Sequence, residues 1–170
     1  MGFPISLWEI LKNSSSLSIS LEEDLGILGL YVKLEQMRMV GGFDYVVTID
    51  DNIDLKEIKV PPLFMQPYVE NAIWHGLRYK DEKGFLKIDI KENSKNSIEI
   101  SIADNGIGRK KSAALKTNNQ KKQKSKGMGN IKKRIDILND MYKDKLAIFI
   151  TDNDEDGTGT KVVFNLKKDQ

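Results

Sequence analysis

The hydrophobic period of this chain switches repeatedly between that of a helix and that of a strand. The order of those switches limits the fold more than any other feature. Between Ser20 and Met39 the apolar residues Leu25, Leu28, Val32 and Met39 recur at spacings of three, four and seven, and Ile27, Leu30 and Leu34 form a neighbouring stripe. Ser20 followed by Glu23 reads as a capping box. A helical region is therefore predicted over residues 5–40, punctuated by the Asn-Ser run at 13–16 and stopped at Gly41-Gly42. Period two then takes over in FDYVVTID at 43–50, FLKIDIKE at 85–92 and SIEISIAD at 97–104. Between the first two of these, Val60-Pro61-Pro62 breaks the chain and opens LFMQPYVENAIWHGL at 63–77. Its spacing is helical, and Pro67 falls in the first turn, where it is tolerated. Residues 106–126 show no hydrophobic period and read as a loop. After Gly127 a helix is predicted with Ile131, Ile135, Leu138 and Tyr142 on one face; LAIFITD, the turn DGTGT and KVVFNLK close the chain. Helices and strands mixed without regular alternation imply an α+β fold, with helices packed on one face of a mixed sheet.

Composition narrows the function classes. A length of 170 residues suits one domain, and 39% hydrophobic with 31% charged residues supports a packed core rather than wholesale disorder. A net charge of +2 is too mild for a nucleic-acid reader, so no nucleic-acid partner is expected. Cysteine is absent, which excludes disulfides and thiolate metal sites. No apolar run approaches the roughly 20 residues that span a bilayer, and MGFPISLWEI lacks a signal-peptide layout. The expectation is a soluble cytoplasmic domain that does not insert in a membrane. His75 is its sole histidine.

Three local signals carry chemistry: Glu70-Asn71 with His75 in a helical segment, Asp104-Asn105-Gly106-Ile107-Gly108 at a strand end, and Gly127-Met128-Gly129-Asn130 before a helix. Taken alone, Asp104-Asn105-Gly106 suits a hairpin turn equally well, and Glu70 and Asn71 suit a solvated helix face. Together they resemble a family. PPLFMQPYVENAIWHGL resembles the N box of the GHKL ATP-binding superfamily, in the form carried by LytS-like sensor histidine kinases. DNGIG is similar to that superfamily's first glycine box, SKGMGNIKKRI to its second and GTGTKVVFNL to its closing strand. EEDLGILGLYVKLEQMRM resembles the segment that joins phosphoacceptor helices to the catalytic domain, so the resemblance runs from about residue 17 onward.

The resemblance implies a two-layer α/β sandwich of the GHKL (Bergerat) fold with an N-terminal helical appendage. Residues 1–42 would link to phosphoacceptor helices absent from this chain, and 43–170 would form the ATP-binding catalytic domain. It also implies ATP and Mg²⁺, transfer of the γ-phosphate to a histidine on a dimeric helical hairpin, relay to a response regulator, and a membrane-tethered parent. Within it, Asp104 would accept a hydrogen bond from the adenine amine. Leaving such a buried acceptor unpaired costs ~1–3 kcal/mol, so it would select as well as bind. Gly106 and Gly108 would allow a tight turn close to the nucleotide. Asn71 offers an uncharged oxygen suited to Mg²⁺, Glu70 would polarise a nucleophile or orient a metal-bound water, and His75, four residues after Asn71, would line the pocket near the phosphates. It is not the phosphoacceptor on this reading. The basic segment 109–126 would be the ATP lid, with Lys126, Gly127, Met128 and Asn130 facing the triphosphate at a helix start.

The sequence departs from the family pattern at Trp74, where many members have a phosphate-neutralising lysine, and Arg78, Lys124 or Lys126 would have to supply that charge. Its second glycine box is also short. The residues leave room for another GHKL ATPase, a serine kinase of the anti-sigma type, or a degenerate nucleotide-binding module. The helix-to-strand lead-in at 21–50 favours the histidine kinase.

Overall fold

A computed structural model of the chain describes residues 18–115, 140, 146–152 and 158–168. In chain order these form β1 (Ile19–Ser20), α1 (Leu21–Arg38), β2 (Phe43–Ile49), β3 (Lys59–Val60), α2 (Gln66–Asn71), β4 (Gly84–Ser94), β5 (Ser97–Asp104), α3 (Arg109–Ala114), β6 (Leu146–Asp152) and β7 (Thr160–Lys167). Strands β2, β4, β5, β7 and β6 lie in that order in one sheet. The pair β2–β4 is parallel and the other pairs are antiparallel, so the sheet is mixed, as expected. The parallel pair needs a crossover, and that crossover carries α2.

One face of the sheet makes the core. Leu86, Ile88 and Ile90 of β4, Ile98, Ile100 and Ile102 of β5, and Val162, Phe164 and Leu166 of β7 are buried. The residues between them are mostly polar or charged, which is the alternation that made the strands legible. The Phe164 ring meets Phe64 edge-on at 5.2 Å and Tyr68 edge-on at 5.1 Å, seating the start of α2 on the sheet. Burying each such side chain is worth roughly 1.5–3 kcal/mol, so packing on this face holds the short helix down.

Helix α1 begins at Leu21 because Ser20 caps it: the Ser20 hydroxyl accepts from the Glu23 backbone N–H at 3.1 Å. Glu22, Glu23 and Asp24 in its first turn and Arg38 in its last complement the helix dipole. Leu21, Leu28 and Val32 enter the core. The second stripe does not: Ile27, Leu30 and Leu34 are 44%, 68% and 60% exposed. Of the helical region predicted at 5–40, residues 5–17 lie outside the described residues. The break predicted at Val60 holds a further strand. Residues 59–60 pair antiparallel with 19–20 and tie down the start of α1.

The segment predicted as one helix over 63–77 is three windings. The α-helical Gln66–Asn71 passes into a π-helical stretch, Ala72–Gly76, and then a 3-10 turn, Leu77–Tyr79. Such wide windings concentrate at functional sites. The loop predicted from 106 is also shorter than expected. Residues 109–114 form α3, whose Ser112 is buried; residues 116–126 of the expected lid lie outside the described residues, as does the helix expected after Gly127 apart from Asp140.

Asp24 is buried on α1 and accepts from the Leu63 N–H at 2.8 Å, pinning a turn in which Leu63 has a φ of 63°. A leucine in that left-handed region is strained, so the bond holds the chain where it would otherwise relax. Burial raises the Asp24 carboxyl from 3.8 to about 6, against the Leu63 hydrogen bond. The native state therefore binds the extra proton, and this group adds stability as pH falls from about 6 towards 3.8. Asp24→Asn keeps an oxygen for Leu63 and loses the buried charge. It should raise the melting temperature at pH 7 and lose that advantage below about pH 4, whereas Asp24→Ala, which also strands the Leu63 N–H, should lose about 1–3 kcal/mol below about pH 4 and less at pH 7. Thermal melts of the three proteins across that range check this.

Candidate nucleotide pocket

The end of β5, the winding around Asn71–Gly76 and the start of α3 meet above the sheet and enclose a cavity of about 100 Å³. Tyr68, Asn71, His75 and Gly76 line it from the helical side, Ile102, Asp104, Ile150, Thr160 and Val162 from the sheet, and Gly108, Arg109 and Ser112 from the chain that follows β5. Whole small-molecule sites enclose ~300–1,000 Å³, so these walls hold one end of a ligand. That end is apolar on its sheet side, with one carboxylate in its wall.

Asp104 reaches this position because β5 runs to its last residue paired on both sides, with Leu86 of β4 and Thr160 of β7. It is 3% exposed, and one carboxylate oxygen accepts from the Gly106 N–H at 2.8 Å. Burial raises it from 3.8 to about 6. The Gly106 and Thr160 backbone bonds and the Lys80 charge pull the other way. The turn beyond it is packed backbone to backbone. A Cβ on Gly106 would lie 2.4 Å from the Gly76 carbonyl carbon, and Ile107 N–H donates to the Gly76 oxygen at 3.3 Å. Gly108 has a φ of 87°, a left-handed torsion that suits glycine, and turns the chain into α3.

No family model matches the chain. It is 33% identical over 124 residues to the uncharacterized protein YwpD of Bacillus subtilis, covering 73% of this chain and 43% of that one. It is 36% identical over 98 residues to the sensor protein LytS of Oceanobacillus iheyensis, covering 58% of this chain and 16% of LytS. Among solved structures, the catalytic domain of the histidine kinase ThkA matches with a TM-score of 0.58 at 14% identity, over 89% of this chain and 97% of that one. Full-length ShkA, in complex with AMPPNP, matches with a TM-score of 0.59 at 15% identity, over 90% of this chain and 32% of that one. ThkA in complex with the response regulator TrrA matches with a TM-score of 0.56 at 18% identity, over 96% of this chain and 46% of that one. The chain is similar in sequence to LytS-like sensor histidine kinases and has the fold of a histidine kinase catalytic domain. It spans less than half the length of these two relatives.

In this LytS-like domain the residues expected at the site divide into three groups. Asn71, His75, Asp104 and Gly108 come together in the cavity wall. Glu70 lies on the exposed side of α2, where it accepts from Gln66 Nε2 at 3.2 Å, and Gly106 sits behind the wall against Gly76. Lys126, Gly127, Met128 and Asn130 lie outside the described residues. Asn71 and His75 share a wall even though the chain winds as a π-helix between them.

Trp74 is turned away from the cavity and towards α1. Its side chain hydrogen-bonds Tyr31, whose hydroxyl burial pushes up to about 12. The Arg38 and Arg78 guanidiniums lie 5.9 Å and 5.0 Å from the Trp74 ring centre. Arg78, considered as a replacement for the family's lysine, is therefore stacked on an aromatic ring rather than in the cavity wall. Among the described residues, the arginine that does line the cavity is Arg109. Sequence reasoning placed Arg109 in a loop and did not single it out, and it passed over Tyr68, Ser112 and Thr160 as well. Only Thr160, beside Gly159 in a glycine-rich turn, carried a local signal.

Proposed function

We propose that the domain binds ATP with its adenine against Asp104 and its phosphates towards Asn71, His75 and the segment containing Lys126, Gly127, Met128 and Asn130. The γ-phosphate then passes to a histidine on a phosphoacceptor helical hairpin outside this chain, and from there to a response regulator. The observation that carries this reading is the buried Asp104 carboxylate, set in the wall of an otherwise largely apolar slot at a strand end. An acceptor-only group there suits the adenine amine and opposes a purine with an oxygen in its place. The AMPPNP complex of ShkA and the TrrA complex of ThkA support the nucleotide and the response regulator as partners, at the level of shared fold.

The residues present fit Mg²⁺ held mainly by phosphate. Among the described residues no cluster of three His, Cys, Asp or Glu could hold a metal ion. Asn71 would contribute one neutral oxygen, with phosphates and waters completing the shell. The metal's contribution is to neutralise phosphate charge. Glu70 would act from the rim on the incoming nucleophile, a role that its exposure on α2 allows only when an acceptor helix covers it. The parent would be a membrane-tethered kinase with this domain in the cytoplasm. Among the described residues no helix is long and apolar enough to cross a membrane.

Transfer needs the acceptor in line with the γ-phosphate. His75 is held within the π-helical stretch of the pocket wall and cannot approach as an external nucleophile without unwinding it. The chain should bind ATP, more tightly with Mg²⁺, and should not label itself. Calorimetric titration followed by incubation with γ-labelled ATP and acid-labile phosphate analysis checks both. Stoichiometric label on His75 would overturn the assignment.

A further inference from the structure

One charged side chain behind the pocket has no part in the reading so far. Lys80 follows the 3-10 turn and reaches back to the loop after β5, where its ammonium donates to the Asn105 carbonyl at 2.8 Å. Asn105 is the residue between Asp104 and Gly106. Among the described residues, Phe85 and Gly159 also bond this turn, through uncharged groups. Phe85 N–H donates to Asn105 Oδ1 at 2.6 Å, and Asn105 N–H donates to the Phe85 carbonyl at 3.2 Å. Gly159 N–H donates to the Gly106 carbonyl at 2.9 Å. These fix where the turn lies; Lys80 adds a positive charge beside the carboxylate.

We propose that Lys80 is a positioning residue that sets base selectivity: its ammonium on the Asn105 carbonyl holds the Asp104 turn in place and sets a positive charge beside the carboxylate that takes a 6-amino purine and refuses a 6-oxo purine. The proposal rests on the adenine reading given above. A protonated carboxyl would donate to the oxygen of a 6-oxo purine and erase the discrimination. Burial favours that protonated form; the Gly106 and Thr160 backbone bonds oppose it, and the Lys80 charge adds to that opposition. A neutral donor at the same place would keep the turn but not the charge.

The test is calorimetric titration of the whole chain at pH 7 with ATP and with inosine triphosphate, for the parent, Lys80→Arg, Lys80→Gln and Lys80→Met, alongside thermal melts. The parent should prefer ATP, and Lys80→Arg should keep that preference within about twofold. Lys80→Gln, which retains a donor, should lose about tenfold in preference with a melting temperature within about 4 °C of the parent's. Lys80→Met should lose the preference and ATP affinity together. If Lys80→Met melts early, Lys80→Gln decides. A parent-like preference in Lys80→Gln overturns the proposal. A parent that binds both nucleotides equally overturns the adenine reading beneath it, so the two failures are distinct.

Discussion

Replacing Asp104 by asparagine is expected to weaken ATP binding about thirtyfold, a loss of roughly 2 kcal/mol. The substitution is nearly isosteric. The amide oxygen would stay on the backbone N–H groups of Gly106, which the carboxylate now holds at 2.8 Å, and of Thr160, and this leaves the NH₂ group facing the ligand. A donor then meets the donor of the adenine amine, in a wall where the parent residue is 3% exposed and water cannot easily intervene. The fold should not suffer. Burial pushes the Asp104 carboxyl up to about 6, so its charge is unfavourable to folding at pH 7, and the neutral amide removes that penalty. Weaker binding in a variant that melts at or above the parent temperature is the expected result. ATP binding as tight as the parent's would show that the adenine does not sit at Asp104.

A methyl group on Gly106 should damage the molecule more broadly. The added Cβ would lie 2.4 Å, 2.5 Å and 2.8 Å from the carbonyl carbon, Cα and oxygen of Gly76. All three are backbone atoms, so no side chain can rotate away, and either the turn or the π-helical stretch must move. Overpacking of this kind costs typically 1–3 kcal/mol and more where backbone is displaced, so Gly106→Ala should lose about 3 kcal/mol. At roughly 2–4 °C per kcal/mol for a chain of this size, the melting point should fall by about 10 °C. ATP binding should be lost with it, because both displaced segments line or support the pocket. Gly26→Ala is the matched control. Nothing lies within 4 Å of a Cβ there, and alanine in a helix is worth about 1 kcal/mol over glycine, so this variant should melt higher. A Gly106→Ala protein that melts with the parent would mean that the turn and the helix do not touch as described.

What could be read from the sequence followed from local physics. The strands were legible because a sheet covered on one face imposes period two, as at Leu86, Ile88 and Ile90. The start of α1 was legible because a serine hydroxyl accepts from a backbone N–H of the first helical turn. Asp104, Asn71, His75 and Gly108 were found through residue type and motif order, and the fold puts them in one wall. The misses came from non-local causes. The two-residue strands at 19–20 and 59–60 exist only as partners across forty residues. Helix α3 has no apolar stripe, and what it buries is the small polar Ser112. The direction of Trp74 depends on the π-helical winding beneath it, which its neighbours in sequence do not dictate. Leu30 and Leu34 have helical spacing, but spacing alone does not say which of two adjacent stripes meets the sheet.

The anchoring of α1 bears on how a push would travel. Its first turn is hydrogen-bonded to Leu55 and Ile58, laddered to residues 59–60 and held through Asp24 to Leu63, while its last turn is coupled through Arg38 to Trp74. These contacts tie α1 near both ends to the segments that precede and form the pocket wall. A displacement of α1 would therefore load the Leu63 turn and the Trp74 winding before it reached the sheet.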